Sequence, residues 1–136
     1  MKIKFFAVGG TIDKVYFDAL SKYEIGESNI LDILKDARVN FEHDISSLLK
    51  KDSLDMTKQD RSIILKAVEK APYERIIITH GTDTMIKTAK VLLCVKNKTI
   101  VLTGAMEPAK FKSSDAIFNL GSAVAAVQTL PYGVYL

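Results

Sequence analysis

The chain has 136 residues, 48% of them hydrophobic and 26% charged, which is ordinary for one compact globular domain. The net charge is only +3 and the longest basic run is the pair Lys50–Lys51, so the charge pattern gives no support for nucleic-acid binding. The single cysteine, Cys94, leaves no internal disulfide and favours a reducing cytoplasm, and its apolar neighbours predict a buried side chain without a catalytic role.

The amino-terminal half alternates strand-like and helix-like patterns. Its first apolar run, Phe5 to Val8, is too short for a signal peptide or a membrane span. Residues 13–28 are polar with little periodicity, which predicts a loop. The other predicted elements are a strand over Ile3–Val8, a helix over Asn29–Ala37 capped by Asn29, a strand over Arg38–Ile45, and a helix from Thr57, with a capping-box spacing to Asp60, that ends at Pro72.

The second half continues this alternation. Glu74 to Thr79 contains three successive isoleucines, typical of a central parallel strand covered on both faces. Further along we predict a helix over Thr82–Val95, a strand over Thr99–Thr103, an amphipathic helix over Ser113–Gln128 and a strand over Val134–Leu136. Strands that alternate with helices through right-handed crossovers predict an α/β fold. We expect a single three-layer αβα domain with a doubly wound, mainly parallel sheet, Rossmann-like or flavodoxin-like.

Three polar motifs follow predicted strands or precede predicted helices, where ligands bind in doubly wound sheets. The first is Gly9-Gly10-Thr11-Ile12. Its glycines permit a sharp turn and a close approach of the backbone to a ligand, and they leave the Thr11 hydroxyl at the mouth of the sheet as a potential nucleophile. The same residues are equally compatible with a plain strand-ending turn.

The second motif, Thr79 to Met85, joins a buried strand to a helix, and we expect Thr82 or Asp83 to cap that helix. Beyond capping, a hydroxyl and helix amides suit a carboxylate or an oxyanion, whereas the Asp83 carboxylate suits an ammonium group. An α-amino acid presents both charges. The third motif, Asp52 to Met56, is either a polar loop with a cap or part of the same site.

Taken together, five blocks resemble the bacterial-type L-asparaginase family in order and spacing, over essentially the whole chain. They are Gly9–Ile12, Ser21–Gly26, Asp52–Met56, His80–Met85 and Thr103–Pro108. The resemblance implies that residues 1–136 form the amino-terminal catalytic domain of such an amidohydrolase, without the usual carboxyl-terminal domain. It implies hydrolysis of L-asparagine, or a close amide, to L-aspartate and ammonia through an acyl-enzyme.

The resemblance also implies roles for individual residues in a two-step hydrolysis. Two threonines, one tyrosine and one aspartate are implied in catalysis, and several residues in substrate binding. Thr11 is the implied nucleophile, Tyr23 orients or activates it, Thr82 positions the attacking group or water, Asp83 binds the substrate ammonium and belongs to the proton network, Ser53 holds the substrate carboxylate, and Gly10 lies against the substrate.

The chain departs from the family pattern in two places. The family's relay lysine, implied beyond the strand at 134–136, has no counterpart in residues 1–136. Lys110 and Lys112 are either substitute bases or solvated loop charges. Asp13 and Lys14 stand where many family members carry small residues, and charges there would perturb proton transfer. The alternative to a hydrolase is therefore a non-catalytic domain that binds asparagine or aspartate, or one part of a larger assembly.

Other ligands and partners follow from what the sequence carries. His80 lacks a second histidine or a cysteine nearby, which favours a structural role, and we predict neither a metal nor a cofactor. The predicted partner is a small amino-acid amide, with no nucleic acid and no membrane. A homo-oligomer, dimer or higher, is expected because the last strand would leave an open sheet edge and apolar positions facing water.

Overall fold

The computed structural model describes residues 1–17 and 22–136, except the Phe17 side chain. Seven strands lie within these residues, five in a central sheet and two in a hairpin. In chain order they are β1 (Lys2–Gly9), β2 (Lys14–Phe17), β3 (Lys22–Ile25), β4 (Glu42–Lys51), β5 (Arg75–Thr79), β6 (Thr99–Thr103) and β7 (Gly133–Tyr135). No helix among the described residues is long and apolar enough to span a membrane.

The central sheet is wholly parallel, in the order β4-β1-β5-β6-β7. The chain passes from β1 to the edge at β4, then crosses back over β1 to β5 and continues outward to β7. The carboxyl ends of β1 and β5 therefore flank the point where the winding direction reverses, which is the usual ligand crevice of such sheets.

Four helices cover the two faces of the sheet: α1 (Ile30–Asp36), α2 (Lys58–Lys70), α3 (Met85–Leu92) and α4 (Ala116–Thr129). Successive strand residues point to opposite faces, so Phe6 packs with α2 and α3, whereas Phe5 packs with α1 and α4. The predicted three-layer, doubly wound α/β fold is confirmed. The predicted capping box is also present, since Thr57 and Asp60 exchange hydrogen bonds at the start of α2.

The predicted loop at 13–28 is wrong in part. Within it β2 and β3 form an antiparallel hairpin, and Tyr16 pairs with Tyr23 at 5.3 Å between ring centroids. Cross-strand aromatic contacts stabilise such a ribbon, and they leave little trace in local periodicity. Residues 18–21, including Ser21 of the family-like block, lie outside the described residues.

The strand predicted over Arg38–Ile45 lies further along, at Glu42–Lys51. Arg38 has a φ of 51°, a left-handed conformation that ends the α1 segment and cannot continue into a strand. The strand pairs in parallel with β1 instead, with Lys2 opposite Glu42 and, after a register shift between Ala7 and Gly9, with Gly9 opposite Lys51.

Three predictions on side chains near helix ends are also wrong. The third helix begins at Met85 after Thr84, so neither Thr82 nor Asp83 caps it. Asn29 stands before α1 but makes no side-chain cap, and its side-chain NH2 group donates to the Ile12 carbonyl at 3.4 Å. Cys94 is exposed rather than buried, since α3 ends at Leu92 and the cysteine lies on the turn beyond it.

Candidate functional site

The turn after β1 carries the first candidate residue. Gly10 adopts a φ of 89°, which a residue with a Cβ atom rarely adopts, and its N–H donates to the Lys51 carbonyl at 3.0 Å. The chain then forms a short 3₁₀ turn over Thr11–Asp13. Thr11 is partly exposed, and within residues 1–17 and 22–136 its hydroxyl has no hydrogen-bond partner.

The three motifs are in direct backbone contact. A Cβ atom added at Gly10 would lie 2.4 Å from the Gly81 nitrogen, so the turns after β1 and β5 touch. A Cβ atom added at Gly81 would lie 2.7 Å from the Ser53 Cβ atom, so the turn after β4 joins them. Only glycine permits approaches this close. The switch point of the sheet thus brings together the motifs that the sequence places far apart.

Thr82 and Asp83 lie on the turn between β5 and α3, and both are exposed. Their side chains have no hydrogen-bond partner in the described part of the chain. Thr82 lines a groove of about 520 Å³ between the carboxyl end of β6 and helix α4. The other lining residues are Met85, Val101, Leu102, Thr103, Gly104, Ala105, Met106, Asp115, Phe118, Asn119, Ser122, Ala123, Ala126 and Leu136.

Ser53 belongs to the same cluster but lies beneath its surface. The side chain is 1% exposed, and its Oγ accepts a hydrogen bond from the Thr84 N–H at 3.3 Å. Asp52 caps the turn by accepting from the Leu54 N–H at 3.1 Å, as the capped-loop interpretation expects. Before Ser53 can touch a ligand, the Gly81 turn or its own turn has to move.

Tyr23 projects from the hairpin and is 48% exposed. Its ring contacts Phe111 edge-on at 5.7 Å between centroids, a partner that the sequence did not single out. Tyr23 lines a separate groove of about 540 Å³ with Lys14 and Asp52, which form an ion pair of 3.3 Å. Neither this groove nor the one at Thr82 includes Thr11, and no hydrogen bond among the described residues joins Tyr23 to either threonine.

The other charges considered from the sequence take different places. Lys110 and Lys112 are exposed, and Lys110 lines a further groove with Glu27, Asn29 and others, away from Thr82. The described residues contain no group of three or more histidine, cysteine or acidic side chains that could hold a metal ion.

Asp13, two residues after Thr11, is only 2% exposed. Burial raises the pKa of its carboxyl from 3.8 to about 6, although the Asn29 N–H donates to it at 3.1 Å and favours the charged form. The Asp13 carbonyl accepts from the Gly26 N–H at 2.8 Å. Asp13 therefore ties the Thr11 turn to the segment that follows the hairpin.

A buried polar network lies behind the turns, and its centre, Arg61 of α2, was missed by the sequence analysis. Arg61 is 8% exposed and donates to the hydroxyls of Thr84 and Thr88 at 2.8 and 3.1 Å. The available signal was its position three and seven residues before Ile64 and Val68, on the buried face of α2.

His80 has the structural position that the sequence favoured. It is 0% exposed, between the Thr88 hydroxyl and the Gly81 carbonyl, each at 2.7 Å. Burial lowers the pKa of its imidazole, and the nearby Arg61 charge lowers it further against the effect of the Gly81 bond.

Comparison with known families gives one match over almost the whole chain. A sequence profile described as "Asparaginase, N-terminal" matches residues 2–135. The L-asparaginase of Thermococcus kodakarensis is 34% identical over an alignment 148 positions long, which covers 100% of this chain and 43% of that protein. A glutaminase-asparaginase of Acinetobacter glutaminasificans is 41% identical over 81 residues, or 58% of this chain and 23% of that protein.

Solved structures agree with the sequence comparison. The thermostable L-asparaginase from Thermococcus kodakarensis superposes with a TM-score of 0.83 at 30% identity, over 98% of this chain and 43% of that one. A probable cytoplasmic L-asparaginase from Campylobacter jejuni gives a TM-score of 0.79 at 30% identity, over 98% and 42%. Residues 1–136 thus span less than half the length of these relatives.

Proposed function

The chain belongs to the asparaginase N-terminal domain family, and from this premise we propose that it provides the threonine nucleophile of an amidohydrolase acting on L-asparagine or a close amide. The observation that carries the proposal is the direct contact between the turns of Gly10, Gly81 and Ser53. This contact sets the nucleophile's turn against the turn that bears Thr82 and Asp83. Two hydroxyls and a carboxylate at one switch point suit a ligand with both an amide and an α-amino acid group.

In the proposed reaction the Thr11 oxygen attacks the amide carbon, and its proton passes through a base to the departing nitrogen, which leaves as ammonia. Water then cleaves the acyl ester, which frees Thr11 and L-aspartate. Thr82 positions the attacking group, and Asp83 pairs with the α-ammonium. Ser53 supports the α-carboxylate once its own turn or the Gly81 turn has moved to uncover it. Gly10 lies against the substrate, and Tyr23 orients Thr11 after moving toward it from its contact with Phe111.

The proton acceptor distinguishes two forms of the proposal. A threonine hydroxyl needs a base, and a missing base slows such reactions by about 10²–10⁴-fold. No lysine, histidine or carboxylate in the described residues is hydrogen-bonded to Thr11. This observation favours a second candidate function, in which residues 1–136 bind asparagine or aspartate without turnover or act as one part of a larger asparaginase-like assembly.

We also propose a homo-oligomer in a cytoplasmic setting. Phe118, Met106 and Ile117 are 78%, 74% and 61% exposed, and among the described residues β7 pairs with a strand on one side only. Met106 and Phe118 line the same groove, and apolar side chains exposed together are typical of protein interfaces. Light scattering at micromolar concentration should give a mass above that of one chain, and a monodisperse monomer would contradict this expectation.

The first experiment is ammonia release from millimolar L-asparagine, with Thr11→Ala beside the wild-type protein. Thr129→Ala, an exposed threonine at the end of α4, is the matched control. For the hydrolase we expect Thr11→Ala to lose at least about a thousandfold in turnover, while Thr129→Ala is unaffected. L-aspartate binding without turnover would leave the second candidate, and neither binding nor turnover by folded protein would overturn both.

A further inference from the structure

The proposed reaction makes no use of the buried network around Arg61. Arg61 is 8% exposed, and no ion pair among the described residues includes it. Burying a cation without a carboxylate partner is costly unless its donors are satisfied by other groups. All three Arg61 nitrogens donate hydrogen bonds, to Thr88, Met56 and Thr84. These three bonds determine which parts of the chain Arg61 holds in place.

Two of the guanidinium nitrogens, Nη1 and Nη2, hold the Ser53 turn. Arg61 Nη2 donates to Thr84 Oγ1 at 2.8 Å, and the Thr84 hydroxyl donates its own proton to the Ser53 carbonyl at 2.7 Å. Arg61 Nη1 donates to the Met56 carbonyl at 3.3 Å, at the other end of the same turn. The turn is thereby held at one end to Thr84, just before α3, and at the other end to Arg61 of α2.

The third guanidinium nitrogen, Nε, is connected to the Gly81 carbonyl through Thr88 and His80. Arg61 Nε donates to Thr88 Oγ1 at 3.1 Å, and His80 lies between that hydroxyl and the Gly81 carbonyl. A carbonyl only accepts, so the His80 Nδ1 carries the ring proton. A buried neutral imidazole has no second proton, so Nε2 accepts from the Thr88 hydroxyl. The bonds thus run in one direction, from Arg61 through Thr88 and His80 to Gly81.

We propose that Arg61 is a positioning residue of the candidate site, which fixes the Gly81–Thr82 peptide through Thr88 and His80 and the Ser53 turn through Thr84. Because a peptide unit is planar, holding the Gly81 carbonyl also sets the direction in which the chain enters Thr82. Arg61 touches no substrate in this role. The proposal rests on the proposed function only in so far as Thr82 and Ser53 meet a ligand.

The test compares Arg61→Met with Arg61→Lys and Arg75→Met by NMR. Arg75 is a matched control because it is an arginine at the opposite end of β5 from His80. Its side chain makes no hydrogen bond or ion pair among the described residues. The chain has two histidines, so His43→Gln assigns the His80 imidazole signals. Exchange of the Thr84 amide proton, which bonds to Ser53 Oγ, reports on the turn.

We expect the Thr84 amide proton to exchange with solvent at least about tenfold faster in Arg61→Met. In this variant the Ser53 turn can open without the cost of breaking the Arg61 hydrogen bonds. The His80 imidazole should titrate at higher pH in this variant, since a neighbouring positive charge is lost. Arg61→Lys keeps the charge but not the planar fork, so it should accelerate Thr84 exchange and leave the His80 titration low. Arg75→Met should change neither signal.

A folded Arg61→Met protein whose Thr84 exchange and His80 titration match those of Arg75→Met would overturn the proposal. If Arg61→Met does not fold, Arg61→Lys decides by the same amide. Acceleration there supports the role, and exchange as in Arg75→Met overturns it. L-aspartate binding by the same proteins distinguishes a failure of this proposal from a failure of the proposed function. If the wild-type protein shows neither binding nor turnover, the proposed function fails, but the NMR comparison still tests the role of Arg61.

Discussion

The inner and outer sides of the candidate site differ in how their polar groups are used. On the inner side Arg61, Thr84, Thr88 and His80 bond to one another and to the turns. On the outer side Thr11, Thr82 and Asp83 are partly or fully exposed, and their side chains have no partner among the described residues. The inner groups lie where an unpaired polar atom is costly, so their arrangement is strongly determined.

From this contrast we expect some substitutions to affect the structure and others to affect only the chemistry. The outer groups are free to bind a ligand, and removing one of them costs the fold little. The inner groups and the glycines between the turns hold the geometry, so changes there should disturb folding and the site together.

Gly10→Ala should break the contact between the two sides. Its new methyl group would lie 2.4 Å from the Gly81 nitrogen, in a backbone conformation with φ of 89°. We expect a loss of about 3 kcal/mol in unfolding free energy, measured by urea denaturation. The control is Gly121→Ala, where a Cβ atom meets nothing within 4 Å and helix propensity predicts a gain of about 1 kcal/mol. Equal effects of the two alanines would show that the turns are not in tight contact.

Asp13→Asn should show a pH dependence that separates a buried carboxyl beside Thr11 from an exposed one. The pKa of Asp13 is raised from 3.8 to about 6, so the folded state binds its proton more tightly. The stability that Asp13 contributes is therefore complete below pH 3.8 and is lost as the pH rises through about 6. Asparagine keeps an oxygen for the Asn29 N–H and never becomes charged.

The unfolding free energy of Asp13→Asn minus that of the wild type should therefore be about 2 kcal/mol larger at about pH 7.5 than at about pH 4. Urea unfolding at the two pH values measures this difference. Asp36→Asn makes the same charge change at an exposed position at the end of α1, and it should give nearly the same small effect at both. A flat difference for Asp13→Asn would mean that its carboxyl is not held in a desolvated position.

The sequence predicts the sheet and the meeting of the motifs better than it predicts the details of the site. β5 and β6 were predicted almost to the residue, because continuous isoleucine and valine runs mark buried parallel strands. The contact of Gly10 with Gly81 follows from that topology, since carboxyl ends of neighbouring strands converge at one edge.

The remaining features depend on contacts between distant residues. Tyr23 of the hairpin packs on Phe111, and such a contact between distant residues has no local periodicity. The depth of Ser53 depends on how closely Gly81 approaches it. Arg61 lies on the apolar face of α2, where an arginine is unexpected, and only the structure supplies the hydroxyls that accept its protons.

Thr79→Val should test the one exception on the inner side. The Thr79 hydroxyl is buried next to His80, and it is the only buried side-chain polar atom without a partner among the described residues. Valine has the same shape, is favoured in strands and removes a donor and acceptor that have lost their water. We expect a gain of about 1 kcal/mol in unfolding free energy, with the Thr84 amide exchange unchanged. Thr103→Val, at the end of the neighbouring strand and only partly buried, is the control and should change stability less. A loss of stability in Thr79→Val would show instead that this hydroxyl belongs to the network that positions the site.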